Sequence, residues 1–175
     1  QRAGEVLRRL PQFFRTGTSA LEQLSLPELL REALDSFAAQ AEREGVRLET
    51  GELPPPSLLG DRVQLGIVLR NLLSNALQAV ASMPQGCERR IAVDAGTDGA
   101  WIWIRIADNG PGIADKIRAR LFEPFISLKS SGLGLGLAIS RSIVETHGGT
   151  LGVEPGPHAI LKITLPAQVD AGERS

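Results

Sequence analysis

Tyrosine is absent from this 175-residue chain, cysteine and methionine occur once each, and aromatic residues make up only 4%. The lone cysteine, Cys87, excludes a disulfide framework and any metal site built on thiolates, and it fits a reducing compartment. Two histidines, His147 and His158, are too few for a histidine-rich metal centre. No apolar run reaches the roughly 18 residues a membrane span needs, and the opening residues do not read as a secretory signal. An excess of either sign of charge is missing too. Lys+Arg 19 against Asp+Glu 20 leaves a net charge of -1, so no bulk basic field points to nucleic acid or anionic lipid. The chain opens on Gln1 rather than Met, and we expect a piece of a longer protein.

Glycine is what the chain has in excess: 19 residues, bunched rather than spread. Gly110, Gly112, Gly132, Gly134, Gly136, Gly148 and Gly149 fall within one short stretch. Glycine concentrated in this way suggests backbone that must come close to something. Around it, 42% hydrophobic and 22% charged residues are ordinary for one globular domain of this length.

Val6, Leu7, Leu10, Phe13 and Phe14 give residues 1–15 a helical apolar face interrupted by Pro11, and TGTS at 16–19 reads as a linker. Ser25-Leu-Pro-Glu28 predicts a capped helix start, and Gly45 its end. Val46–Thr50 reads as a strand and residues 53–57 as a stiff connector. Asp61, with Gln64 three residues on, predicts the start of a helix that is apolar over most of its circumference and so largely buried. Residues 90–95 and 101–107 flank Thr97-Asp-Gly99 as an antiparallel hairpin, with Ile102, Ile104 and Ile106 alternating against Trp101, Trp103 and Arg105. A short helix near 114–121, a helix ending at His147-Gly-Gly149, and strands near 150–153 and 159–165 complete the domain. Residues 168–175 read as a disordered tail. The expected fold is α+β, a two-layer sandwich with a mixed, mainly antiparallel sheet covered on one face by about three helices.

Three elements could carry chemistry. Asn71, Asn75 and Gln78 form a polar stripe on the buried helix. Their amides could tie the helix to neighbouring loops, or an amide oxygen could serve as a hard ligand for Mg²⁺. Asp108-Asn-Gly-Pro-Gly112 could be a plain turn. Equally, a carboxylate at a strand end can accept a hydrogen bond from an exocyclic amine such as that of adenine, while Gly110 and Gly112 let a flat ring approach the backbone. Ser130-Ser-Gly-Leu-Gly-Leu-Gly136 runs straight into a helix, where free N–H groups suit phosphate, and Lys129 adds a positive charge just upstream. No P-loop pattern is present, and the dinucleotide fingerprint fails because Leu137 or Ile139 stands where its last glycine belongs.

The order of these elements resembles the catalytic and ATP-binding domain of bacterial sensor histidine kinases, in the superfamily that includes DNA gyrase, MutL and the ninety-kilodalton heat-shock chaperones. Residues 69–80 (LRNLLSNALQAV) are similar to its N box, DNGPGI (108–113) to the first glycine box, LFEPF (121–125) to the F box, and GLGLGL (132–137) to the second glycine box. The likeness covers roughly residues 20–167. It implies ATP and Mg²⁺ as cofactors, with Asn71, Asn75 and Lys129 as the catalytic group and Asn75 supplying an oxygen to the metal. Asp108 would read the adenine amine with Thr164 behind it through a water, and Gly110, Gly112 and Ile113 would line the base pocket; Gln78 would be a further ATP-binding residue. Residues 126–135 would form a lid in which Lys129, Ser130, Ser131, Gly132, Leu133, Gly134 and Leu135, followed by Gly136, cradle the phosphates. Phe122 and Phe125 would pack beneath it.

Asn71 stands where the ATPases of that superfamily carry a water-activating glutamate, and asparagine cannot act as a general base. The resemblance therefore implies γ-phosphoryl transfer to a histidine rather than hydrolysis. No H-[ED]-x-x-x-P motif occurs here, so the acceptor belongs to a dimerisation domain of the same protein, of which residues 1–15 would be the last turns. Further implied partners are ATP/ADP, the receiver domain of a response regulator, and a second copy in a homodimer. The implied location is cytoplasmic, either free or as the cytoplasmic part of a membrane-bound receptor. A protein-serine kinase of the anti-sigma-factor type, an ATPase and a non-catalytic nucleotide-sensing module are the alternatives. Pro11, the sequence ISLKSS in the lid and the shortened EPGPH turn (154–158) depart from the family pattern.

Overall fold

The computed structural model describes residues 20–54, 56–125 and 135–168. In chain order it contains β1 (Leu21–Ser25), α1 (Leu26–Arg43), β2 (Val46–Thr50), β3 (Ser57–Asp61), α2 (Arg62–Ala81), β4 (Arg89–Asp98), β5 (Trp101–Asp108), α3 (Asp115–Arg118), α4 (Gly136–Thr146), β6 (Thr150–Val153) and β7 (Ile160–Pro166). Five strands form one sheet in the order β2-β4-β5-β7-β6, in which β2 and β4 run parallel and every other pair is antiparallel. Ile91, Val93, Ile102, Ile104, Ile106, Leu161, Ile163 and Leu165 bury their side chains in the single core that packs the sheet on the helices. This is the expected α+β two-layer sandwich.

Helix α2 is the centre of that core. Leu65, Val68, Leu69, Leu72, Leu73, Ala76, Leu77 and Val80 are all buried, as the nearly continuous apolar pattern requires. Asp61 caps it as expected, its carboxylate accepting the Gln64 N–H at 3.0 Å. Helix α1 also begins where expected, but the Ser25 hydroxyl makes no capping bond; the Leu26 N–H instead donates to the Pro56 carbonyl. Gly45 ends α1 with φ +66, a left-handed conformation that glycine adopts without strain.

A small second sheet was not foreseen. β1 and β3 pair antiparallel from Leu21↔Asp61 to Ser25↔Ser57. Neither LEQLS nor SLLGD contains a β-branched or aromatic residue, so local propensity carries no sign of them. The 89–98/101–108 hairpin is longer than expected: Thr97 and Asp98 still pair, and the turn is Gly99-Ala100. The short helix is confined to Asp115–Arg118. The amphipathic segment at 1–15, the linker at 16–19 and the tail from 169 onward lie outside the described residues, while Gln168 still donates its N–H to the Ser57 carbonyl.

His147 ties two helix ends together. Its Nδ1 lies 2.8 Å from the Ile143 carbonyl, which only accepts, so Nδ1 carries the proton; Nε2 then accepts the backbone N–H of Asp61 at 3.1 Å. The C-terminus of α4 is thereby locked to the N-terminus of α2. His147→Ala leaves a helix-start N–H without its acceptor, and we expect it to lower the unfolding free energy by about 1–3 kcal/mol in urea titration. Unchanged stability would show the bridge to be idle.

Candidate functional site

The polar stripe on α2 points away from the core towards the gap between α4 and the end of β5. Asn71 donates through Nδ2 to the Gly136 carbonyl at 3.3 Å and to the Ser140 hydroxyl at 3.2 Å. A carbonyl accepts only, so the nitrogen faces α4 and Oδ1 faces the other way. Ser140 is fully buried, and its hydroxyl accepts from the Asn71 amide. One helical turn on, Asn75 is half-buried and has no hydrogen-bonding partner among the described residues. Gln78 is exposed and leans back to the Ser74 hydroxyl at 3.5 Å. Two carboxamides in register, one oriented and one uncommitted, make a donor set of neutral hard oxygens. No cluster of three or more His, Cys, Asp or Glu side chains able to hold a metal occurs among the described residues.

Helix α4 begins at Gly136, preceded by Leu135, with no side-chain cap on its first turn. Its N-terminus lies at the Asn71 end of the stripe, and a helix N-terminus is an arrangement suited to an anion. Lys129, Ser130, Ser131, Gly132, Leu133 and Gly134 lie outside the described residues. Phe122 is half-buried, packs on the core, and carries the Arg141 guanidinium 5.2 Å from its ring centre. Phe125 is 58% exposed, with a positive φ of 65° that an aromatic residue rarely adopts, and residues 126–134, beneath which it was expected to pack, lie outside the described residues.

At the other end of the stripe, β5 delivers Asp108, which is 8% exposed. Its Oδ1 accepts the Gly110 N–H at 2.9 Å. Burial raises the Asp108 pKa above its ordinary value, opposed by the Gly110 N–H and by the nearby His158. With Oδ1 committed, Oδ2 is the oxygen left for a ligand, and deprotonated it can only accept. Gly110 lies against α2: a Cβ there would stand 3.1–3.2 Å from Ala79. Gly112 has φ +81, and a Cβ there would meet the Pro157 carbonyl at 2.6 Å, so glycine is required twice over. Ile113 packs half-buried against the core beside it. From Asn71 to Ala79 the helix rises about 12 Å, so α2 spans the oriented amide at one end and the buried carboxylate loop at the other.

Thr164 corrects an expectation. It alternates out of phase with the buried Leu161, Ile163 and Leu165, which places it on the face of the sheet away from the helices. It also pairs with Trp103, five residues or about 17 Å along β5 from Asp108. The residue of the last strand region that reaches Asp108 is Ala159, whose carbonyl accepts the Asp108 N–H at 3.1 Å.

Two contributors escaped sequence reasoning. Asn109, read only as a turn residue, accepts the Arg90 N–H at 2.8 Å and donates to the Glu88 carbonyl at 2.9 Å, extending the β4–β5 pairing past the strand end. His158 sits 3.0 Å from the Gly110 carbonyl. Both contacts join segments far apart in sequence, so no local pattern signals them.

A buried carboxyl with a raised pKa favours the folded state most when protonated. Its contribution is complete below the unfolded-state value and is lost as pH rises through the raised one, above about pH 4. Asp108→Asn keeps the acceptor for Gly110 and removes this loss. The ligand-free variant should be more stable than the wild type at pH 7, with the gap closing at pH 3, in paired denaturant titrations. Equal stability at both pH values would contradict the burial cost.

A family model described as the histidine kinase-, DNA gyrase B- and HSP90-like ATPase matches residues 60–169. The C4-dicarboxylate transport sensor protein DctS of Rhodobacter capsulatus is 40% identical over 171 residues, covering 95% of this chain and 26% of that protein. The catalytic domain of histidine kinase ThkA aligns with a TM-score of 0.73 at 26% identity, covering 84% of this chain and 95% of that one. Full-length ShkA in complex with AMPPNP aligns with a TM-score of 0.75 at 28% identity, covering 95% of this chain and 35% of that one. The chain spans about a quarter to a third of the length of the curated relatives it matches. It belongs to the histidine kinase-, DNA gyrase B- and HSP90-like ATPase family, with the fold of a histidine kinase catalytic domain.

Proposed function

We propose that this chain is the ATP-binding kinase domain of a two-component sensor histidine kinase. It holds ATP with its base at Asp108 and its phosphates at the Asn71 end of α2, and donates the γ-phosphoryl to a histidine on a dimerisation domain of the same protein. The observation that carries this reading is Asn71. Its amide is oriented by Gly136 and Ser140, and it has no basic lone pair with which to activate water. A site without a general base preserves its phosphoryl group for another acceptor, and such transfer depends on positioning and charge neutralisation.

The amide oxygen of Asn75 fits Mg²⁺ carried in with the nucleotide, the remaining ligands coming from phosphate and water. Magnesium would supply charge neutralisation at the phosphates. Asn71 and Asn75 orient the phosphate end, and Asp108 with Gly110, Gly112 and Ile113 orients the base; Lys129, outside the described residues, is the proposed positive charge for the phosphates. A response regulator receiver domain is the proposed onward acceptor, within a homodimeric protein. Among the described residues no helix is long and apolar enough to cross a membrane.

Mixing the chain with a histidine-bearing dimerisation fragment and γ-labelled ATP should give acid-labile phosphate on that fragment. Acid-stable phosphoserine would favour the serine kinase instead, and binding with no transfer the sensing module. Asn75→Ala should cut transfer by at least about tenfold and flatten its dependence on Mg²⁺ concentration. An unaltered Mg²⁺ titration in that variant would remove Asn75 from the metal site.

A further inference from the structure

The turn between β6 and β7 closes against the loop that follows Asp108, and it does so through more than one contact. Ala159 accepts the Asp108 N–H at 3.1 Å, and the Pro157 carbonyl occupies the space that any side chain at Gly112 would need. Between them, His158 Nδ1 lies 3.0 Å from the carbonyl of Gly110. That carbonyl accepts only, so Nδ1 is the protonated nitrogen and donates. Behind the turn, Arg118 of α3 reaches the carbonyls of Glu154 and Gly156. The Glu154 carboxylate is engaged on the other face of the sheet by Arg105 and Lys162.

We infer that His158 is a positioning residue for base recognition: by holding the Gly110 carbonyl, it fixes the Asp108–Gly112 loop in the geometry that reads an adenine amine. The inference rests on the proposed role of Asp108. Gly110 is the middle of a chain of contacts. Its carbonyl is held by His158 and its N–H by Asp108 Oδ1, and it lies so close to Ala79 that no side chain fits between them. A shift of the Gly110 peptide therefore turns the Asp108 carboxylate with it, and a turned carboxylate loses the directional bond to an exocyclic amine. When the imidazole is protonated, its charge also favours the ionised Asp108, against the larger opposing effect of burial.

The test compares ATP with inosine triphosphate, which carries a carbonyl in place of the amine, by calorimetric titration of the whole chain. Wild type should prefer ATP. His158→Ala should weaken ATP binding about fivefold, the ordinary worth of one hydrogen bond, and leave inosine triphosphate nearly unchanged, so that discrimination collapses. His158→Asn, whose amide nitrogen can stand in for Nδ1, should restore it. A purely structural role for His158 would weaken both nucleotides together, and that result overturns the inference. So does wild-type discrimination retained in His158→Ala. A wild type that binds both nucleotides equally overturns the reading of Asp108 itself, and the inference falls with it.

Discussion

A helix buried around most of its circumference can expose polar groups only along a narrow arc, and α2 is under that constraint. Its eight large or medium apolar residues commit it to the sheet on one side and to α1 and α4 on the others. Each buried leucine contributes on the order of 2 kcal/mol, so the rotation of α2 about its axis is strongly determined. The strip holding Asn71, Asn75 and Ala79 flanks that buried face, and its direction is set by the core rather than by any ligand. The Asn71 carboxamide is positioned before anything binds, and under the proposed function an ordered group of this kind loses less entropy when it engages a nucleotide.

The base end obeys a different rule. Asp108 is carried to the end of β5 by the same alternation that buries Ile102, Ile104 and Ile106, so the pleat that builds the core also pulls a carboxylate out of water. A buried carboxylate needs donors, and the loop supplies one by folding Gly110 back onto it. That fold-back works only if no side chain stands at 110 or 112, where Ala79 and Pro157 already occupy the space. The glycines here are thus explained by close approach within the protein.

Much of this was legible from sequence because it is local. The apolar run of α2, the alternation in β5, the cap at Asp61 and the glycine after α1 each follow from residues within a few positions of one another. The small sheet was not legible, since leucine, serine and glycine in β1 and β3 give no strand signal and their pairing depends on segments some 35 residues apart. Thr164 was misplaced for a related reason. A motif at the end of a strand says nothing of which face a residue takes until the register of the whole strand is fixed, and a shift of one residue reverses it. His158 and Asn109 were unreadable because each bonds across the molecule to backbone, which has no identity in a sequence.

The neighbours of Asn71 extend the argument beyond the side chain itself. Gly136 O and Ser140 Oγ both accept from the amide nitrogen, and a backbone carbonyl cannot switch roles. A carboxylate in the same rotamer would set an anionic oxygen against that carbonyl, in a spot where Ser140 is wholly removed from solvent. Its hydrogen-bonding demands would be met at only one of the two contacts, and the other would become repulsive. The environment at this turn of α2 therefore selects a donor, not merely a residue of the right size. Under the proposed function, restraint of hydrolysis would be a property of how α4 packs on α2, since the packing that fixes the Asn71 amide disfavours a carboxylate there.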